Sequence, residues 1–257
     1  MSPAEKRVLV IVPAFNECGN IGRTVEEIRN VARTGRELSP GEKGDSPLHL
    51  HVDILVIDDG SRDATAQEAR QAGGMVVSLP FNLGIGAAVQ TGFQYAQRHG
   101  YDIAVQIDGD GQHDASFLEK LVEPICRGEA DMVVGSRFLE KTGGFRSSFS
   151  RRMGIVFFVH LINGLTGVKI NDPTSGFRAY NKKMIALFAE YYPHDFPEPE
   201  AIVVGQQDGA RIVELPVVMR PREAGSSSIR YFKTLYYMVK VTLAILLHMI
   251  RQRRNKT

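Results

Sequence analysis

Residues 102–113 read DIAVQIDGDGQH, an apolar, β-favouring run over 102–107 that stops at Asp108, Gly109, Asp110 and Gly111. A short buried strand ending abruptly in polar residues suits an open α/β sheet, where ligands sit beyond the carboxyl ends of the strands. Two stretches upstream repeat the arrangement. The run VLVIV at 8–12 is stopped by Pro13, and Asn16 to Asn20 lead into a helix. VDILVI at 52–57 ends in Asp58, Asp59 and Gly60, with Asp63 placed to cap the following helix. Further strands are expected at 75–79 and 131–135, with a helix at 86–98. Strands alternating with helical stretches describe βαβ units and a mostly parallel sheet flanked by helices.

The length of 257 residues fits one large domain or two small ones. With 43% hydrophobic and 23% charged residues, the composition excludes a disordered tail, a collagen and a multispanning membrane protein. A formal charge of +2 gives no overall field for nucleic acid, so no nucleic-acid partner is expected. Cys18 and Cys126 are too few for a disulfide scaffold and lack the paired spacing of a thiolate zinc site, which fits a reducing compartment. The run at 8–12 is shorter than the apolar region of a secretion signal, so the chain is expected to stay in the cytosol. Residues 35–51, with Gly, Pro, Ser and alternating charges, read as a surface loop. Beyond 135 the pattern changes to a basic stretch at 141–152 and an apolar helical run at 153–165. DPTSGFRAYN at 172–181, FPEPEAIVVGQQDG at 196–209 and a last strand pair around 211–219 follow.

Three strand ends carry the chemistry. Asp108 and Asp110 are two apart, which in extended chain puts both carboxylates on one face, and Gly109 between them leaves room for a ligand. With the amide of Gln112 they form a hard-oxygen set suited to Mg²⁺ or Mn²⁺, a metal that also accepts diphosphate oxygens and can neutralise a departing nucleoside diphosphate. His113 is expected to orient its aspartate neighbours, and Asp114, ahead of ASFLEKL, to cap a helix. In NLGIG at 82–86, Gly84 and Gly86 either let backbone N–H groups approach a phosphate or serve close packing. The second half offers Arg137, Arg146, Arg151, Arg152 and Arg178, and guanidinium is well shaped for phosphate. Asp172 and Glu200 are base candidates for a hydroxyl acceptor, with Asp172 equally able to cap the turn at Pro173.

VPAFNE at 12–17, DDGSRDAT at 58–65, NLGIGAA at 82–88, DGDGQH at 108–113, GSRF at 135–138 and DPTSGFRAYN at 172–181, in this order, resemble glycosyltransferase family 2. The nearest branch is the dolichol-phosphate mannosyltransferase-like, polyprenyl-phosphate transferases. The resemblance covers nearly the whole chain and implies a GT-A fold, a nucleoside-diphosphate-sugar donor, a divalent metal and inversion at the sugar. It sets Pro13, Ala14, Glu17 and Asp58 against the nucleotide together with Asp108, and gathers Asp108, Asp110 and Gln112 around the metal. Arg137, Arg151 or Arg152, Ser175 and Arg178 match positions near the donor and acceptor phosphates, and Asp108, Asp110, Asp172 and Arg178 are the catalytic set it implies. Two departures stand out. Gly109 replaces a common alanine, which should be tolerated because that side chain points away from the metal, and Ile85 replaces a common lysine between the glycines. FPEPEAIV at 196–203 and MRPREAGSSSI at 219–229 are similar to a bacterial subgroup associated with cell-surface polysaccharides.

A phosphate acceptor is anionic at neutral pH and needs positioning charge more than a general base. The expected function is therefore inverting transfer of a hexosyl or N-acetylhexosaminyl group from a nucleotide to a polyprenyl phosphate. Extension of a saccharide hydroxyl is the alternative. A catalytically silent nucleotide-binding scaffold is a third, opposed by the intact Asp108/Asp110 pair. The catalytic domain is assigned to 1–228, and 229–257 to a C-terminal amphipathic or apolar helix with the basic tail RQRRNKT. With Lys240 and His248 inside it, that helix falls short of the ~20 apolar residues that span a bilayer. It is expected to lie on the cytoplasmic membrane face, with a single C-terminal anchor, or packing on the body or on a second subunit, as the alternatives.

Overall fold

The run at 8–12 forms the centre of strand β1 (Glu5–Ala14), and Val8, Leu9, Val10, Ile11 and Val12 are all fully buried. The computed structural model describes residues 5–34, 37–38, 48–139, 149–195, 197–220 and 238–247. After β1 come α1 (Ile21–Thr34), β2 (Glu37–Leu38), β3 (Leu48–Asp58), α2 (Thr65–Gln71), β4 (Met75–Ser78), α3 (Ile85–Arg98) and β5 (Ile103–Gln106). The second half holds α4 (Leu118–Cys126), β6 (Met132–Ser136), α5 (Phe149–Thr166), β7 (Arg178–Asn181), α6 (Lys182–Glu190), α7 (Pro197–Gln207) and β8 (Ile212–Pro216). Residues 238–247 are helical.

Period-two alternation divides the strands between two cores. Leu9, Ile11, Leu55 and Ile57 pack on one face of the sheet with Phe93 of α3, Phe158 of α5, Phe188 of α6 and Ala201 of α7. Val8, Val10, Val12, Ile54 and Val56 pack on the other face with Ile21, Val25 and Ile28 of α1, Ala69 of α2 and Leu121 of α4. The result is an α/β mixed sheet between two helical layers. Val241 and Ile245, from the helical segment 238–247, join the first core.

The sheet runs β2-β3-β1-β5-β7-β6-β8, with β4 also pairing β3. β1, β3, β4 and β5 are parallel, as the alternating pattern predicts. β7 is not predicted: it enters antiparallel between β5 and β6, with Gln106 opposite Arg178. RAYN is too short to show a period, and its place is set by the neighbouring strand edges it fills. The strand pair expected at 211–219 resolves into β8, parallel to β6, and an isolated bridge between Met219 and His113. The long loop expected at 35–51 is partly strand, since β2 and the start of β3 pair there. Among the described residues no helix is long and apolar enough to cross a membrane, so the alternative of a single C-terminal anchor has no support there. Of the C-terminal helix expected at 229–250, only 238–247 falls within the described residues.

Candidate active site

The C-terminal ends of β1, β3 and β5 open onto a cleft of about 390 Å³. Pro13, Ala14, Phe15 and Glu17 form one wall, Asp59 with Asn82, Gly84, Ile85 and Ala88 another, and Asp108, Gly109 and Asp110 the floor. Four acidic residues thus line the space, and among the described residues none of those lining it is basic.

Each carboxylate has a different situation. Asp59 is committed to the backbone: its two oxygens accept the N–H groups of Leu83 at 2.8 Å and Gly84 at 2.9 Å, fixing the start of α3. Gly84 holds φ +91° there, a conformation open only to glycine in practice. A Cβ on Gly86 would lie 2.2 Å from the Pro193 carbonyl oxygen, so of the two readings of this glycine, close packing is the one the structure bears out. Glu17 accepts the Asn20 amide at 3.0 Å. Asp110 accepts the Gln112 backbone N–H at 3.1 Å within a turn closed by Gly111 at φ +73°, so the two aspartates follow a bend and not an extended run.

Asp108 lies closest to needing a further partner. Its Oδ2 sits 3.1 Å from Nε2 of the buried His113, while its Oδ1 is buried with no hydrogen-bond partner. Burial alone would push this carboxyl up, but the His113 hydrogen bond and charge, the nearby Gln106 amide and the charge of Arg137 together hold it below the usual range. A Cβ on Gly176 would come within 2.8 Å of the same carboxylate, so the loop passing over it leaves space only because it has no side chain there. A buried, ionised and unpartnered oxygen beside a second carboxylate fits a hard divalent cation. Among the described residues no three His, Cys, Asp or Glu side chains are grouped to enclose a metal. That is the arrangement for a cation held by one or two carboxylates plus substrate phosphates, not for a metal caged by protein alone.

Some expected site residues lie elsewhere. Asp58 does not line the cleft; it accepts the Ser61 N–H at 3.0 Å and closes the turn after β3. The Gln112 side chain donates to the Arg220 carbonyl at 3.4 Å and is likewise not part of the lining. A Cβ at 109 would point at the Pro13 carbonyl oxygen 3.1 Å away, toward β1, where an alanine would require its neighbours to yield slightly. Asp114 caps, as expected: it accepts the Ser116 N–H at 3.0 Å. Asp63 does not take the cap position of α2, which falls to Ala64 with no side-chain cap bond, but it accepts the Thr65 N–H at 3.0 Å from one residue further out.

Beside Asp108 the residues expected near the acceptor are locked into one another. Arg137 donates Nε and an Nη to the two oxygens of Asp172, both at 2.6 Å, and reaches Thr174 at 2.8 Å. Arg178 is fully buried, and its guanidinium donates to the carbonyls of Ser175, Pro173 and Glu198 at 2.7 to 2.8 Å. A buried guanidinium must have its donors satisfied, and backbone carbonyls take three of the five here; contact of Arg178 with a phosphate stays a proposal. Asp172, a base candidate, has both oxygens taken. Ser175 is buried, with its Oγ accepting the Phe177 N–H at 3.3 Å. Arg152 is exposed in the first turns of α5; Arg151 lies in the same helix, its side chain outside the described residues, as is Arg146. Glu200 accepts the Tyr191 hydroxyl at 3.1 Å, and burial raises its carboxyl.

Residues 9–188 match the family described as Glycosyl transferase family 2. The chain belongs to that family. This glycosyltransferase is 26% identical over 233 residues to the UDP-N-acetylglucosamine–dolichyl-phosphate N-acetylglucosaminyltransferase of Methanococcus voltae, covering 83% of this chain and 86% of the relative. It is 28% identical over 235 residues to the polyprenol monophosphomannose synthase of Mycolicibacterium smegmatis, covering 86% and 80%. Its fold is similar to glucosyl-3-phosphoglycerate synthase from Mycobacterium tuberculosis crystallised with Mn²⁺, UDP and phosphoglyceric acid, with a TM-score of 0.66 at 20% identity, covering 95% of this chain and 78% of that one.

Two residues of the site were not singled out in the sequence. Asp59 is the second of an adjacent pair, and the period-two rule says only that one of the two faces each way. Glu198, beside the Glu200 that was named, carries a carboxyl that burial pushes up, that Arg178 pulls down and that Asp108 pushes up again. The charge of Asp108 acting on it places this glutamate within electrostatic reach of the cleft floor.

Proposed function

We propose that this glycosyltransferase moves a sugar, with inversion, from a nucleoside-diphosphate sugar to a polyprenyl phosphate. The observation carrying the reading is the cleft floor: Asp108 presents a buried, unpartnered oxygen beside Asp110 in a space lined by four acidic residues and, among the described residues, no basic one. A diphosphate is repelled from such a wall unless a cation accompanies it. Asp108 and Asp110 would hold Mg²⁺ or Mn²⁺ there, and the bound cation would stabilise the negative charge of the departing nucleoside diphosphate. The acceptor phosphate oxygen attacks the anomeric carbon as the bond to the diphosphate breaks, and since that oxygen is already anionic no proton has to be removed. The locking of Asp172 by Arg137 is consistent with a reaction that asks nothing of it as a base. The two relatives with polyprenyl-type acceptors in their names support the same acceptor.

The surface supports a membrane-facing role. On α5, Met153, Val156 and Phe157 are exposed at helical spacing, and on 238–247 so are Val239, Leu243, Leu246 and Leu247. Both helices rest on the same core through their opposite sides. We assign the catalytic body to 1–228 and a membrane-surface role to 229–257, where Arg251, Arg253, Arg254 and Lys256 follow the apolar stripe and favour the anionic cytoplasmic leaflet. Glu198 favours a second reading: a partly buried carboxyl with a raised pKa near Asp108 is what a hydroxyl acceptor would use as base. Incubating the protein with a panel of nucleotide sugars and either polyprenyl phosphate or a saccharide decides between them. Product on the lipid phosphate, with Glu198→Gln retaining activity, supports the first; product only on the saccharide, with Glu198→Gln inactive, supports the second.

A further inference from the structure

The two aspartates of the cleft floor are held from behind by a pair of residues, and that pair is itself held. His113 contacts Asp108 Oδ2 and the Gln112 backbone N–H donates to Asp110 Oδ1, each at 3.1 Å. Gln112 and His113 in turn run antiparallel to Met219 and Arg220. The Arg220 N–H donates to the Gln112 carbonyl at 2.8 Å, the Gln112 amide returns a bond to the Arg220 carbonyl at 3.4 Å, and His113 bridges Met219. So short a ladder has little stability of its own. What fixes it is the Arg220 side chain. Its guanidinium forks onto Glu27 of α1, with Nη1 2.8 Å from Oε2 and Nη2 2.7 Å from Oε1, and Nη2 lies 3.3 Å from Asp114 Oδ1.

A half-exposed ion pair contributes little to overall stability. Geometry is a different matter, because this fork joins α1, the cap after the aspartate loop and the segment following β8 at one point. Met219 adds a tie to the acceptor side, since its Sδ accepts an Nη of Arg137 at 3.7 Å. We propose that Arg220 is a positioning residue for sugar transfer: by anchoring its own backbone to Glu27 and Asp114, it sets Gln112 and His113, and through them the directions of the Asp110 and Asp108 carboxylates. The proposal rests on the reading of the cleft as the cation–diphosphate site.

The test is Mn²⁺ binding to the full chain in the presence of UDP, followed through the electron paramagnetic resonance signal of free Mn²⁺ against a control with UDP alone, together with thermal unfolding of each protein. Groups that orient metal-binding residues typically change metal affinity by about 10- to 100-fold. Arg220→Gln is expected to weaken Mn²⁺ binding by about tenfold while the number of sites per chain and the unfolding temperature stay near wild type. Glu27→Gln should act in the same direction, and the double variant should match Arg220→Gln, because both break one fork. Arg220→Lys, a point charge that cannot fork, should restore only part of the affinity. Binding by Arg220→Gln within about twofold of wild type, far below the expected range, overturns the proposal. So does full additivity of the two substitutions, or a fall in the number of sites that tracks unfolding. If wild type itself binds no Mn²⁺, it is the reading of the cleft that fails, and the clasp with it.

Discussion

The two sides of the site treat their charged groups in opposite ways. On the open side, at the ends of β1, β3 and β5, carboxylates line a cleft and Asp108 keeps a buried oxygen without a partner. On the closed side, Arg137 and Asp172 form a fork and Arg178 is spent on three backbone carbonyls. Unsatisfied charge at one place and fully satisfied charge a few residues away mark different tasks. The first is poised for something that arrives, and the second shapes the loop over it. Substitutions on the two sides should therefore be read out by different experiments.

The largest effect is expected on the closed side, and on stability. Asp172→Ala takes the carboxylate away from the buried Arg137 guanidinium, which should cost about 3 to 5 kcal/mol. Chemical denaturation measures this directly, and a loss under about 1 kcal/mol would mean that the fork is not the buried pair its geometry describes. Arg178→Ala should behave alike, by orphaning three carbonyls. Next comes the open side, where Asp108→Asn or Asp110→Asn should lower transfer by the equivalent of about 2 to 4 kcal/mol while the unfolding midpoint stays close to wild type. Should either variant lose stability as severely as Asp172→Ala, the contrast between the two sides collapses.

Asp59→Ala sharpens the boundary between them, since this carboxylate lies in the cleft yet is committed to the N–H groups of Leu83 and Gly84. Losing two part-buried hydrogen bonds should cost about 0.5 to 1.5 kcal/mol and loosen the α3 end of the cleft, measured as parallel losses in denaturation midpoint and nucleotide affinity. Intact affinity despite the lost stability would separate α3 from the donor site.

The smallest effect is a pH dependence away from the cleft. Hydrogen bonds from Arg211 hold the Asp131 carboxyl below its usual range, against a smaller opposing push from burial. A depressed folded-state pKa adds stability above the unfolded value of about 3.9, and that stability is lost as pH falls through the lower, folded value. Asp131→Asn should therefore narrow the difference in unfolding midpoint between neutral pH and about pH 2 to 3. An unchanged difference would mean that the Arg211 contact does not favour the ionised form.

The parallel half of the sheet was legible because 8–12, 54–57 and 103–107 are buried, and, Gln106 apart, these are the unbroken apolar runs that strands covered on both faces require. The carboxylates that end them followed directly. β7 was not legible, because four residues inserted antiparallel between two other strands depend on edges supplied by residues far away in the chain. The backbone bonds of Arg178 were hidden for a related reason: a sequence shows a guanidinium but not whether its donors meet solvent, phosphate or backbone. The Arg220 clasp was hidden by distance, its partner Glu27 lying 193 residues away.

The central claim is that the open, carboxylate-lined cleft transfers sugar to a lipid phosphate through a cation-dependent donor. One measurement addresses it most directly: transfer of labelled sugar to polyprenyl phosphate and to the parent polyprenol, with Mg²⁺ or Mn²⁺ and again in excess EDTA, by wild type and Asp110→Asn. The account predicts labelled product on the phosphate alone, lost in EDTA and in the variant. Undiminished transfer in EDTA, or equal transfer to the polyprenol, would contradict it.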